Sequence, residues 1–331
     1  MKFLPSIEDV AKKAGVSKAT VSRVLNNSAN VSEKKRKAVL DAIKALNYTP
    51  NVTAKNLAKR KTETVGIIIQ SLSGWFYGVV VDLLNNYISK RGYGAIFCQI
   101  SDNIDYFRFL VGRVDGIIVF GYKTINKESL RLLKANNVPV VLAENNTEYS
   151  DVPRINVNNF QGGYMATKYL IDKSCKKIAH ILGPSDSFES LARFKGYKAA
   201  LSDAGIEFDE RLCVEGDFMF QKAYENIKKL VQTQQIDGIF AANDVMAYAS
   251  IYALNEMDIK VPQQVKVVGF DDVDIFGLRL SKMPKLTTVR QPIDLMVKTA
   301  CDILFDKINN PEKKFESEYV LDTQLIVRES A

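Results

Sequence analysis

The stretch Ser6 to Asn27, SIEDVAKKAGVSKATVSRVLNN, restricts the fold of this chain more than any other. Ser6 stands where a hydroxyl can cap a helix. Glu8 and Asp9 follow in the first turn, where the helix dipole favours negative charge. Val10, Ala11 and Ala14 continue an apolar stripe at helical spacing, and Gly15 ends it. Ser17 is placed to cap a second helix. Its inward face is Val21, Val24 and Leu25, and its outward face is Lys18, Ala19, Thr20, Ser22, Arg23 and Asn26. Two short helices around a glycine turn, the second polar outside, form the helix-turn-helix pattern. The second helix of such a pair lies in the DNA major groove and reads bases near its N-terminal end. The same pattern also suits a small bundle with a solvated face, so the charge distribution and the third helix decide.

The net charge of +7 is uneven. Residues 1–61 carry 14 Lys and Arg against 4 Asp and Glu, and the remainder carries 31 against 34. A basic head on a near-neutral body is the footprint of phosphate binding. A membrane-surface helix would need large apolar residues, and these helices carry mostly Ala and Val. Cys98, Cys175, Cys213 and Cys301 are too far apart for a C-x-x-C pair and suit reduced, buried thiols. Without a signal-peptide pattern or a membrane-length apolar run, a cytoplasmic protein is expected.

Ser32 is placed to cap a third helix, EKKRKAVLDAIKALNY, with Val39, Leu40, Ile43 and Leu46 as its core face. The Lys34–Lys37 run near its start opposes the helix dipole and is better explained by phosphate contact than by solvation alone. Pro50 then begins a segment of nine residues ending at Ala58, too short for a helix that is stable alone in water. Such a segment suits ordering on binding, or a plain linker. From Val65 onward, short apolar runs alternate with amphipathic segments. Runs at 65–69, 95–98, 115–120 and 138–142, and again at 177–182, 237–242 and 265–270, read as buried parallel strands. A helix is expected from Tyr77 to Arg91, stopped by Gly92, and another within IDYFRFLVGR. Two Asp-Gly-Ile strands, 122 positions apart, hint at two similar halves. The expected fold is α/β, with doubly wound sheets and ligands bound beyond the strand C-termini.

Residues 1–61 resemble the headpiece of the lactose-repressor (LacI/GalR) family of bacterial transcription regulators. Asp9-Val10-Ala11, Ala14-Gly15-Val16-Ser17, Thr20-Val21-Ser22-Arg23-Val24-Leu25-Asn26, Val31-Ser32, Leu46-Asn47-Tyr48, Pro50-Asn51, Ala54 and Leu57-Ala58 carry that resemblance. It implies a helix-turn-helix headpiece at 1–49 and a hinge helix and linker at 50–61. A periplasmic-binding-protein-like core of two doubly wound α/β subdomains follows at 62–331. The first subdomain would take in about 62–160 and 291–322, the second about 161–290 and 323–331. It further implies that Lys18, Ala19 and Arg23 face base edges and that Ser17, Thr20, Ser22, Asn26 and Asn30 touch backbone. Ser32, Tyr48, Asn51, Ala54, Lys55 and Ala58 would complete the DNA contacts. Leu57, paired with its symmetry mate in the minor groove, would be an apolar wedge that kinks a palindromic operator. Such pairing calls for two copies, and with no heptad pattern up to Arg328-Glu329-Ser330-Ala331, unlike the family's tetrameric members, a homodimer is expected.

The same resemblance places an effector against Phe76, Tyr77, Glu144, Arg193, Phe218, Asn243 and Asp271. Aromatic walls with converging carboxylate, amide and guanidinium groups suit a sugar or sugar phosphate. The purine-binding members carry a basic residue where this chain has Ser187, and Glu189 departs from them as well. The segment 99–115 is shorter than the family norm. The expected activity is therefore repression of a carbohydrate-utilisation operon. Gating by a phosphorylated carrier protein and control by a purine or nucleoside are the alternatives. Catalysis is not expected, and neither a metal nor a cofactor is called for. The single histidine, His180, falls inside an apolar run, and neither a metal-ligand cluster nor a nucleophile elbow occurs.

Overall fold

The computed structural model describes residues 5–25, 30–49, 61–101, 104–121, 125–147, 149, 151–273 and 283–331. The chain divides into two compact units, 1–62 and 63–331. The first contains α1 (Ile7–Ala14), α2 (Lys18–Leu25) and α3 (Glu33–Leu46). Ser6 and Asp9 form a reciprocal capping box at α1, and Gly15 leaves the helix in the left-handed conformation. The Ser17 hydroxyl accepts from the Thr20 N–H at 3.2 Å, as a cap should. Ser32 occupies the cap position of α3, but its side chain accepts no backbone bond there. The small core is Val10, Ala11, Val21, Val24, Val39 and Ala42, with Leu25, Ile43 and Leu46 packed at its edge. Leu40, expected inside, is 52% exposed. It stands about 100° around the helix from Val39, past the edge of a stripe that only two neighbours can cover.

The second unit contains two six-stranded sheets. In chain order its elements begin with β1 (Thr64–Ile69), α4 (Trp75–Ser89), β2 (Gly94–Gln99), α5 (Tyr106–Leu110), β3 (Gly116–Phe120), α6 (Lys127–Ala135), β4 (Val140–Ala143) and β5 (Arg154–Val157). Next come α7 (Asn159–Asp172), β6 (Ile178–Leu182), α8 (Phe188–Asp203), β7 (Cys213–Glu215), α9 (Phe220–Thr233), β8 (Gly238–Ala241), α10 (Asp244–Glu256) and β9 (Lys266–Asp271). The last are β10 (Thr287–Arg290), α11 (Ile293–Asn309), β11 (Glu318–Leu321) and β12 (Gln324–Ile326). The first sheet runs β11-β5-β4-β3-β1-β2, all parallel. The second runs β12-β10-β9-β8-β6-β7, parallel except at β12. The seven strands expected from apolar runs are all present. β5, β7, β10, β11 and β12 were not expected; each is three or four residues long.

Each sheet is covered on both faces, which is why its central strands are apolar throughout. α4 and α11 cover one face of the first sheet, through Val80, Leu84, Met296, Ala300 and Leu304; α5 and α6 cover the other through Leu110, Leu130 and Leu133. α9 and α10 cover one face of the second sheet, and α7 with α8 the other. The chain passes between the sheets three times: after β5, between β10 and α11, and between β11 and β12. The four cysteines are free thiols, three of them buried. No helix among the described residues is long and apolar enough to cross a membrane.

Two glycines set how closely α7 and α8 approach. A Cβ on Gly163 would meet the Arg193 backbone, and one on Gly196 would meet the Phe160 carbonyl and the Tyr164 N–H. Backbone cannot swing aside as a side chain does, so Gly196→Ala should destabilise the protein by about 1–3 kcal/mol. Thermal denaturation would register this as a melting point several degrees lower. An unchanged melting point would show that the two helices part without penalty.

Candidate functional site

In the first unit, Ser17 at the start of α2 and Lys18, Ala19 and Arg23 on it are exposed, with Thr20 and Ser22 partly covered. Asn30 and Ser32 are exposed as well, and Tyr48 packs partly against the small core. The Lys18 ammonium forms an ion pair with Glu8, with both side chains more than half exposed. Asn26, Asn51, Ala54, Lys55, Leu57 and Ala58, and with them the expected hinge helix, lie outside the described residues.

In the second unit, strand order reverses twice. In the first sheet β1 has β2 on one side and β3 on the other; in the second, β6 lies between β7 and β8. A crevice opens beyond the strand C-termini at such points. The residues following those strands line one cleft of about 410 Å³. Gln70 to Tyr77 follow β1, Pro184 follows β6, and Asn243 follows β8. Glu144 follows β4, Asp271 ends β9, and Gln291 follows β10. All seven residues expected at an effector site, namely Phe76, Tyr77, Glu144, Arg193, Phe218, Asn243 and Asp271, line this cleft. Trp75, Phe76 and Tyr77 open α4 rather than preceding it, so their rings project from the first turn of a fixed helix. Phe76 and Tyr77 meet edge to face at 5.3 Å, and both lie against Phe120. Across from them stands Phe218, on a turn whose residues Asp217 and Phe218 both have left-handed backbones. The Lys222 ammonium holds Asp217 at 2.6 Å, and Gly183 leaves room for the Phe218 ring.

Arg193 is the centre of the floor. On α8 it shares a buried face with Glu189, one turn earlier. Its Nε donates to Asn159 Oδ1 at 2.8 Å and its Nη1 to the Ala242 carbonyl at 2.6 Å. Nη1 lies 3.6 Å from Asp271 Oδ1, and the guanidinium stacks on the Phe270 ring at 3.7 Å. Asp271 also accepts from Gln291 Nε2 at 2.7 Å. Burial pushes its carboxyl up to about 6, although Arg193 and Gln291 favour the charged form. Glu144 sits in a left-handed turn. That turn is pinned by Asn145, whose Nδ2 donates to the Gly121 carbonyl and whose N–H donates to Asn156. Burial raises the Glu144 carboxyl well above the usual range, and the neighbouring Glu189 raises it further. Glu189 is raised by burial too, offset by the Ser187 hydroxyl donating to it at 2.6 Å. Asn243 caps α10 with its side chain, and behind it Asp244 accepts from Thr288 Oγ1 and the Val273 N–H.

Gln70, Glu189 and Gln291 were not counted among the expected site residues. Gln70 obeys the same rule that identified the others, standing directly after a strand; Gln291 follows a strand that the pattern of apolar runs did not show. Gln70 Oε1, Glu144 Oε1 and Gln291 Oε1 are buried oxygens without a partner among the described residues. The cleft can therefore receive hydrogen-bond donors along its floor and a flat apolar face against its aromatic walls. No group of acidic, histidine or cysteine side chains among the described residues could hold a metal ion. His180 is a fully buried member of β6, with Nδ1 against the Phe240 carbonyl at 2.9 Å and its ring stacked with Phe194, Tyr197 and Phe240. Burial lowers its pKa to about 4, so it is neutral at ordinary pH and sits in a layer of rings.

The buried carboxyls keep their protons to higher pH in the fold than in the unfolded chain. Their contribution to stability is present below the ordinary carboxylate range and disappears as pH rises through the raised values, about 6 for Asp271. Glu144→Gln keeps the shape and removes one titration. At about pH 8 the variant should melt a few degrees above the parent, and by about pH 4 the difference should vanish. A difference that does not vary with pH would show that Glu144 stays charged.

Residues 6–51 match bacterial regulatory proteins, lacI family, and residues 167–331 match the periplasmic binding protein-like domain. The transcriptional regulator RegA of Clostridium saccharobutylicum is 36% identical over 335 residues, covering 98% of each chain. The transcriptional repressor PurR of Photobacterium profundum is 33% identical, covering 99% of this chain and 98% of its own. Among solved structures, the regulator CelR in complex with cellobiose is 32% identical, with a TM-score of 0.72, and the match covers 99% of this chain and 100% of that one. The helix-turn-helix unit, the paired α/β sheets and these relatives together place the chain in the LacI family of DNA-binding bacterial transcription regulators.

Proposed function

We propose that this protein is a ligand-controlled repressor. It acts as a cytoplasmic homodimer on a palindromic operator and takes a sugar-type effector in the cleft between its two sheets. The observation that carries this reading is the cleft itself. It lies at both strand-order reversals, has aromatic walls, and holds three buried side-chain oxygens without partners among the described residues. Hydroxyl groups supply donors at several points of one rigid ring, and the apolar face of that ring stacks on Phe218 or the α4 aromatics. The cellobiose bound by CelR is a ligand of this kind. Control requires that the ligand favour one arrangement of the two lobes over another, so that operator affinity and effector affinity become linked. Lys18, Ala19 and Arg23 read base edges in this scheme. Ser17, Thr20, Ser22, Asn26, Asn30, Ser32 and Tyr48 fix the register on the backbone. Asn51, Ala54, Lys55, Leu57 and Ala58 act in the minor groove, where Leu57 opens a base step.

Selection of binding sites from random duplex DNA with the full chain tests the regulator reading directly. A two-fold symmetric consensus should emerge, and recovery of no consensus would reject it. Two variants then probe its parts. Leu57→Ala removes the wedge, so operator and random DNA should bind within about tenfold of each other, with the weak binding still falling as salt rises. Unchanged discrimination would discard the wedge. Glu8→Gln frees Lys18 from its surface ion pair. Because such a pair is worth at most about 1 kcal/mol, operator affinity should rise by no more than about fivefold. Weakened binding would show that Glu8 positions Lys18 instead of restraining it.

A further inference from the structure

The charges around the cleft do not balance. Among the described residues lining it are four acids, Glu144, Glu189, Asp217 and Asp271, and one base, Arg193. Asp217 is neutralised at the rim by Lys222, which lies 2.6 Å away and also holds Glu215. On the floor that leaves Glu144, Glu189 and Asp271 facing a single guanidinium. Arg193 is already committed to Asn159, the Ala242 carbonyl and Asp271. Asp244 lies behind Asp271 and adds a further buried acid, satisfied by Thr288 and the Val273 N–H. The unpartnered atoms match this sign. Glu144 and Gln291, which both line the cleft, are 5% and 4% exposed, and each carries a buried oxygen with no partner among the described residues.

We propose that the cleft selects its ligand by charge: it accepts a donor-rich neutral or ammonium-bearing polyol and rejects the phosphorylated or carboxylated form of the same compound, with Glu189 as the residue that sets this preference. The inference deepens the effector reading above and rests on it. A phosphate or carboxylate entering this floor would meet amide oxygens at Gln70 and Gln291 where it needs donors, and Glu144 and Glu189 supply no cation to offset its charge whether ionised or protonated. It would also compete with Asp271 for Arg193, the one base among the described residues that line the cleft. Asp271 is ionised near neutral pH, and a second anion brought beside it out of water weakens binding. Hydroxyl or ammonium hydrogens instead satisfy the orphaned oxygens. Glu189 is the telling residue because it faces the cleft one turn from Arg193 and is held in place by the Ser187 hydroxyl. Without it the floor would carry two acids to one base.

Thermal-shift and calorimetric titration of the full-length protein with matched sets provides the test. Suitable sets are glucose, glucosamine and glucose 6-phosphate; ribose and ribose 5-phosphate; galactose and galacturonate; and cellobiose with cellobiose 6-phosphate. At least one neutral or amine-bearing member should bind, and its anionic counterpart should bind at least about a hundredfold more weakly. In Glu189→Gln, with folding verified by its melting curve, that ratio should contract by at least about tenfold. An anionic member that binds as tightly as its parent overturns the proposal. So does a ratio untouched in Glu189→Gln, or silence from every neutral and amine-bearing member. Site selection on random DNA with the same preparation separates the two readings. A palindromic consensus alongside reversed charge preference removes only the selectivity, whereas the lack of any consensus removes the regulator reading itself.

Discussion

The second unit depends on where one guanidinium is held. Arg193 ties the start of α7 to the end of β8 through Asn159 and the Ala242 carbonyl, and it leans on β9 through Asp271 and the Phe270 ring. A buried charge with so many partners is stabilising only while all of them are present. The sequence around it is arranged accordingly. Gly163 and Gly196 let α8 approach close enough for the side chain to reach. Gly269 leaves space for the Asp244 carboxylate behind the same strand end. Two strand ends and one helix start are thus fixed relative to one another before any ligand arrives, so recognition begins from a preorganised floor.

Backbone conformation follows the same geography. Glu144, Asp217, Phe218, Asp271 and Asp272 all have positive φ without being glycine, and the first four line the cleft. Each turns the chain abruptly at a strand end or before a helix, which aims a side chain inward where a continuing strand would carry it away. Asp272, just outside, is held by Arg290 and Arg328. Left-handed backbone at such residues persists only where surrounding bonds enforce it, and it concentrates where a side chain must be aimed.

Much of this was legible in the sequence, for reasons that can be stated. Strands buried on both faces read as continuous apolar runs, so β1, β3, β4, β6, β8 and β9 announced themselves, and the polar residues at their ends became candidates at once. Glu144, Asn243 and Asp271 stand at such ends, and the family resemblance then assigns them to the ligand. β5, β7, β10, β11 and β12 could not. They are short, several are half exposed, and Thr287–Arg290 or Glu318–Leu321 carry no run that distinguishes a strand from a loop. Missing β10 meant missing Gln291. Phe76, Tyr77, Arg193 and Phe218 were named from family position, and periodicity alone would not have singled them out of helices and a turn. In the first unit, helix caps and the apolar stripe marked all three helices. Leu40 was misplaced because a stripe on a three-helix unit is narrower than its periodicity suggests. The fate of the Ser32 hydroxyl likewise depends on a local geometry that residue type does not encode.

Gln291 lines the cleft and lies on one of the three connections that join the two sheets; its Nε2 donates to Asp271, and its buried Oε1 has no partner among the described residues. A molecule hydrogen-bonded there touches a strap between the lobes as well as a wall of the binding site. Whatever holds the ligand there is therefore also part of the covalent link between the lobes, so a ligand contact and the joint between the two sheets share one side chain.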